Sequence, residues 1–120
     1  MYDTDPSTLP ILDNDTIAQL RELMEGEFND LLETFLQDIA NQLASLRTAV
    51  ANDDAPMLCR TAHPLKSSSH SIGALRLSRL AQQLEAQGRI GEAAGLAPLL
   101  RQLEAVAEQT QVSLRKLLPS

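Results

Sequence analysis

Apolar residues recur along most of this chain at three- and four-residue steps, and no stretch alternates as a half-buried strand would. The clearest run is Phe28, Leu32, Phe35, Ile39, Leu43, Leu46 and Val50. It keeps one apolar face over about six turns, which predicts a helix from about Glu27 to Ala51. Ahead of it, Ile17, Leu20, Leu23 and Met24 predict a short first helix, capped by Asp13 or Asp15 and ended near Gly26. After it, "NDDAP" at 52–56 supplies a turn, an aspartate cap and a proline at a first-turn position. A third helix is expected from about Ala55 to Ile72, with Gly73 as its stop. A fourth starts near Leu75, buries Leu77, Leu80, Ala81 and Leu84, and runs out near "QGRIG" at 87–91. The fifth carries Leu96, Leu99, Leu100, Leu103, Val106, Thr110, Leu114 and Leu117 and ends before Pro119. Pro98 falls in its first turn or else bends it.

Four long amphipathic helices joined by short connections define an all-α class: an antiparallel four-helix bundle, with a short N-terminal helix capping one end. Residues 1–10, with two prolines, are expected as a flexible N-terminal lead, and residues 11–118 as one helical bundle domain.

Composition narrows the chemistry. Hydrophobic residues make up 43% of the 120, but aromatics only 2%, so the core must be built from Leu, Ala, Ile and Val. The lone cysteine, Cys59, excludes an internal disulfide and a cysteine-based zinc site. No apolar run approaches the roughly 18 residues of a membrane span. The acidic "MYDTDPSTLP" start lacks the apolar segment of a signal peptide. The expected compartment is the cytoplasm, without membrane attachment. A net charge of −6 argues against nucleic acid as a partner. The charge is uneven, however. Residues 58–89 hold Arg60, Lys66, Arg76, Arg79 and Arg89 against Glu85 alone, a basic surface suited to an acidic protein or a phosphate.

Both histidines fall in "AHPLKSSSHSIGA" at 62–74. With Leu58 at zero and about 100° per residue, Ala62, Leu65, Ser69 and Ile72 lie within about 40° of it and form the core stripe. His63, at about 140°, and His70, at about 120°, point away from the core. Lys66 lies one turn beyond His63, and Ser67 beside it is small. A shared metal ion does not suit the pair, because seven residues along a helix span about 10.5 Å. The Glu-x-x-His pairs of a diiron bundle are absent. Serine nucleophile chemistry lacks its Gly-rich oxyanion loop and Ser-x-x-Lys motif, so the serine run reads as small packing residues. An exposed histidine can, without any pocket, receive a phosphoryl group on a neutral ring nitrogen. Lys66 would balance the charge and Ser67 would leave room for a donor.

The segment resembles the signature of histidine-containing phosphotransfer (HPt) domains, H-x-L-K-G-S/A-S/A-x-x-φ-G-A, with φ apolar. His63, Leu65, Lys66, Ser68, Ser69, Ile72, Gly73 and Ala74 match it. "ILD…LREL" at 11–23, "LLETFLQD" at 31–38 and "LAQQLE" at 80–85 resemble the flanking helices of that family, and the fifth helix agrees in pattern. Residues 1–10 lie outside the likeness.

The resemblance implies the bundle already derived and a protein with no catalytic power of its own. Its histidine would take a phosphoryl group from the aspartate of a receiver domain in a hybrid sensor kinase. It would then pass the group to the receiver aspartate of a response regulator. Magnesium would sit on the receiver, so the chain itself needs no cofactor or metal. By this likeness His63 is phosphorylated at Nε2 and Lys66 lies beside the phosphoryl group. Glu85 is reached in a second way as well. The third and fourth helices turn back at Gly73–Ala74, and His63 and Glu85 stand at similar distances from that turn. Glu85 is expected to accept a bond from Nδ1–H and leave Nε2 free. Arg60, Ser67 and His70 are candidate partner contacts around the site. A monomer is expected. The contrasting function is a helical adaptor that docks receiver or kinase domains without phosphotransfer.

Two residues depart from the pattern. Ser67 replaces the common glycine. Pro64 deprives the Arg60 carbonyl of a helical partner, at a cost of about 3 kcal/mol unless offset. A bend is expected there, with the freed carbonyl turned to solvent.

Overall fold

A computed structural model describes residues 5–119. Five α-helices follow one another: α1 (Asn14–Met24), α2 (Phe28–Ala51), α3 (Ala55–Ser71), α4 (Leu75–Arg89) and α5 (Ala97–Arg115). Short connections return each of α2 to α5 on the one before. Contacts run α2 to α3, α3 to α4, α4 to α5 and α5 back to α2, closing a four-helix ring. Among the described residues there is no strand, and no helix is long and apolar enough to cross a membrane.

The helix ends follow the local chemistry. Asp54 caps α3 by accepting from the Met57 N–H at 3.1 Å, with Pro56 in the first turn. Pro98 likewise sits in the first turn of α5. Gly73 ends α3 with φ 87°, and a Cβ there would lie 3.0 Å from Thr16 Cβ. Glycine is required both for the backbone turn and for the approach of α1. The Gly73 carbonyl accepts from the Asp13 N–H at 2.8 Å. That bond seats α1 across the end of the bundle where α3 turns into α4.

The stripes point inward as their spacing requires. Phe28, Leu32, Phe35, Ile39, Leu43 and Leu46 of α2 are buried, as are Leu58, Ala62, Leu65, Ser69 and Ile72 in and just after α3. Val50 is half-buried, and its neighbour Ala49 takes the core position. Leu23 is a correction: it is 83% exposed, while Ile17 is buried. Each three-residue step falls about 60° short of a full turn, so two steps carry Leu23 about 120° from Ile17.

The lead also differs from expectation. Residues 5–10 are held against the bundle by a short 3-10 turn, Pro6–Thr8, and by Arg76. Arg76 donates Nε–H to the Leu9 carbonyl at 2.8 Å and its backbone N–H to the Pro10 carbonyl at 3.1 Å. The second bond satisfies an N–H of the first α4 turn that has no partner within the helix. A composition reading had no means of seeing this, because the partner is a backbone amide 66 positions away. Residues 1–4 lie outside the described residues.

Helix α3 continues through Pro64 from Ala55 to Ser71 without interruption. Arg60 and Pro64 are both exposed, so the carbonyl that Pro64 leaves unbonded is on the solvent side.

Candidate functional site

α3 and α4 are the most closely packed pair in the bundle, and small residues allow it. Gly88 on α4 is buried, and a Cβ there would meet the Cys59 backbone nitrogen at 2.8 Å and the Ala55 carbonyl oxygen at 2.9 Å. The Ser78 hydroxyl of α4 donates to the Lys66 carbonyl of α3 at 2.8 Å. Facing side chains on these helices are therefore within hydrogen-bond reach.

Glu85 lies at the centre of that interface. It is only 2% exposed, yet three side chains converge on it. His63 Nδ1 is 2.5 Å from Oε2, Lys66 Nζ donates to Oε1 at 2.6 Å, and Arg89 Nη2 donates to Oε2 at 3.0 Å. The carboxylate is inside and its partners reach in from the surface. The side chains of His63 and Arg89 are 62% and 65% exposed, and that of Lys66 29%.

Burial pushes the Glu85 carboxyl up. The hydrogen bonds from Lys66 and His63, together with their charges, outweigh it and hold the carboxyl below its ordinary 4.5. An ionised carboxylate only accepts, so Nδ1 of His63 must carry the proton it shares with Oε2. A neutral ring held in this way has its lone pair on Nε2. The permanent charges nearby are one carboxylate and two cations, an imbalance that favours an arriving dianion.

His63, Lys66 and Glu85, singled out from the sequence, are thus brought together. Ser67 is exposed next to Lys66. Arg60 is exposed one turn before His63, and among the described residues it makes no ion pair. His70 is exposed further along α3 and does not join the Glu85 cluster. Arg89 is the residue sequence reading passed over. In the sequence it is one of five basic residues between 58 and 89, yet its spacing of four from Glu85 puts the two on one face of α4. Among the described residues no three His, Cys, Asp or Glu side chains gather as a metal site would need.

A helical bundle that displays a histidine on an open face, with a carboxylate beneath it and cations beside it, belongs to the class of proteins that carry a group on a surface side chain. The comparisons agree. The Hpt domain family matches residues 30–112, and the chain belongs to that family. Among solved structures it is similar to histidine-containing phosphotransfer protein B of Pseudomonas aeruginosa PAO1. The two share 36% identity and superpose with a TM-score of 0.84 over 89% of this chain and 93% of that one. No curated protein sequence matches it. His63, Lys66, Glu85 and Arg89 all fall within the matched span.

Proposed function

We propose that this Hpt domain is the phosphotransfer intermediate of a phosphorelay, with His63 Nε2 as the atom that carries the phosphoryl group. The observation that carries the reading is the fixed tautomer. A buried, ionised Glu85 accepts a hydrogen bond from Nδ1–H and leaves the other nitrogen nucleophilic on an exposed ring.

The step balances without a base. The Nε2 lone pair attacks phosphorus of an aspartyl phosphate, the N–P bond forms, and the acyl P–O bond breaks. The electron pair returns to the aspartate as carboxylate. The ring keeps its Nδ1 proton and becomes cationic, and Glu85 beside it offsets that charge. Lys66 and Arg89 then neutralise phosphoryl oxygens. Transfer onward is the same step reversed, onto the aspartate of a second receiver. The receiver brings the magnesium and most of the electrostatic stabilisation. This chain contributes a positioned nucleophile and a local surplus of positive charge.

The test is incubation with receiver domains phosphorylated by acetyl phosphate. An acid-labile, alkali-stable label is expected on the chain. His63→Gln should abolish it, and His70→Gln should not. A label that survives in His63→Gln would overturn the site assignment, and receiver binding with no transfer would establish the adaptor role instead.

A further inference from the structure

Ser67 stands one turn beyond His63 on the exposed side of α3. At about 100° per residue it lies about 40° from His63 to one side, and Lys66 lies about 60° to the other. The Lys66 side faces α4, because Nζ reaches Oε1 of Glu85 at 2.6 Å. The bond from His63 Nδ1 to Oε2 of the same carboxylate turns that edge of the ring towards α4 as well. Nε2 lies on the far side of the imidazole, so it is directed away from α4, to the side that Ser67 occupies. Side chains on a helix lean towards its N-terminus, and residues four apart have Cβ atoms about 5–6 Å from one another. The Ser67 hydroxyl therefore leans back towards the space in front of Nε2.

That hydroxyl is uncommitted. Elsewhere in the helices a hydroxyl donates to the carbonyl four residues earlier: Ser71 to Ser67 at 3.0 Å, Thr48 to Ala44 at 3.1 Å and Thr110 to Val106 at 2.8 Å. Among the described residues the Ser67 hydroxyl makes no hydrogen bond. Lys66 and Arg89, by contrast, each already donate to Glu85.

We propose that Ser67 is a phosphoryl-binding residue, whose O–H donates to an oxygen of the group carried on His63 Nε2 and stabilises the loaded chain. The inference rests on the phosphotransfer reading. A phosphoryl group on Nε2 spreads three oxygens around the N–P axis. Lys66 meets an oxygen on the α4 side and Ser67 one on the opposite side, so the two donors do not compete. A hydroxyl bonded to a dianion is charge-assisted and gains over its bond to water. Glycine, which the signature carries at this position, has no such donor. The added bond thus comes with the departure from the pattern, and it shifts the transfer equilibrium towards this chain.

The experiment measures the equilibrium constant for transfer between a phosphorylated receiver and the full chain. That constant compares the separated proteins, so the fit of the receiver against position 67 does not enter it. Ser67→Ala is expected to move it about three- to tenfold against the loaded chain, the scale of one net hydrogen bond. Ser67→Thr keeps the hydroxyl, and Ser67→Val has the same shape without it. The Thr variant should stay within about twofold of the native value, and the Val variant should fall with Ala. A constant unchanged in Ala and Val, or moved equally by Thr and Val, overturns the proposal. Phosphorus NMR gives a second readout that needs no receiver. A donor favours the dianion, so Ser67→Ala should raise the second pKa of the phosphoryl group and Ser67→Thr should not. If no receiver loads the unaltered chain, the phosphotransfer reading fails by itself. The chain is then loaded chemically with phosphoramidate, and the His63 signal is the one missing from His63→Gln. A raised pKa in Ser67→Ala still upholds the Ser67 bond, and an unchanged one overturns it.

Discussion

His63 and Glu85 stand 22 positions apart in the sequence and meet at 2.5 Å, Nδ1 against Oε2. One side chain is 62% exposed and the other 3%. An outward-facing nucleophile is thus oriented from inside the bundle, where packing fixes the carboxylate. Glu85→Ala is expected to release the ring and slow phosphotransfer by roughly 10- to 100-fold, the scale on which misplacement of a reacting group acts. Loss of three charge-assisted hydrogen bonds should also lower stability by about 1–3 kcal/mol, because the freed partners rehydrate at the surface. Nitrogen NMR of the imidazole and rapid-quench kinetics check the two effects on His63. An unchanged tautomer and rate would show that Glu85 does not position the ring.

The same cluster gives an acid signature. Folding lowers the Glu85 carboxyl below its ordinary 4.5, against the upward push of burial, through its bonds from Lys66 and His63. A depressed carboxyl stabilises the fold fully above its unfolded value and loses that contribution as pH falls through the folded value. Urea midpoints of the native chain and of Glu85→Gln should therefore differ at neutral pH, and the gap should narrow as pH falls below the unfolded value of about 4.3 and close once pH has passed below the folded value. A constant gap across that range would contradict the assignment.

Periodicity located all five helices, because each buries one stripe and a stripe is a local pattern. The pairing of His63 with Glu85 was legible too, since an antiparallel hairpin sets the height of its facing residues. Arg89 was not distinguished, because five basic residues between 58 and 89 look alike until one is seen bonded to a buried acid. The Leu9–Arg76 bond was hidden for another reason. It joins a backbone carbonyl to a side chain 67 positions away, and no composition or period encodes that.

Pro64 sits inside a helix that does not stop for it. The Arg60 carbonyl loses its helical partner there, on the exposed side of α3. Pro64→Ala restores the bond, and the gain exceeds what proline contributes by restricting the unfolded chain. The expected increase is about 2 kcal/mol, read as a higher urea midpoint with an unchanged slope. No increase would mean that hydration already satisfies the carbonyl.

Ser69 occupies a core position of α3 at 0% exposure, and among the described residues its hydroxyl has no hydrogen-bond partner. A buried hydroxyl left unpaired costs about 1–3 kcal/mol. Ser69→Ala removes the penalty and leaves only a small void, so a gain of about 1 kcal/mol is expected. Thermal melting checks it. Phosphotransfer should be unaffected, because Ser69 faces the interior, away from the outward side that carries His63.

Gly88 tests whether the close approach of α3 and α4 serves the site. An added Cβ would collide with backbone at Cys59 and Ala55, and backbone cannot swing aside as a side-chain tip does. Helix propensity favours alanine by about 1 kcal/mol, while forcing an overpacked contact apart costs about 1–3 kcal/mol or more. The second effect is expected to win, so Gly88→Ala should lower the melting temperature. It should also separate the helices one turn from Glu85, lengthening the reach to His63 and Lys66. Transfer would then slow with no change to any residue that touches the phosphoryl group. A variant that is less stable yet transfers at the native rate would show that the site tolerates helix separation.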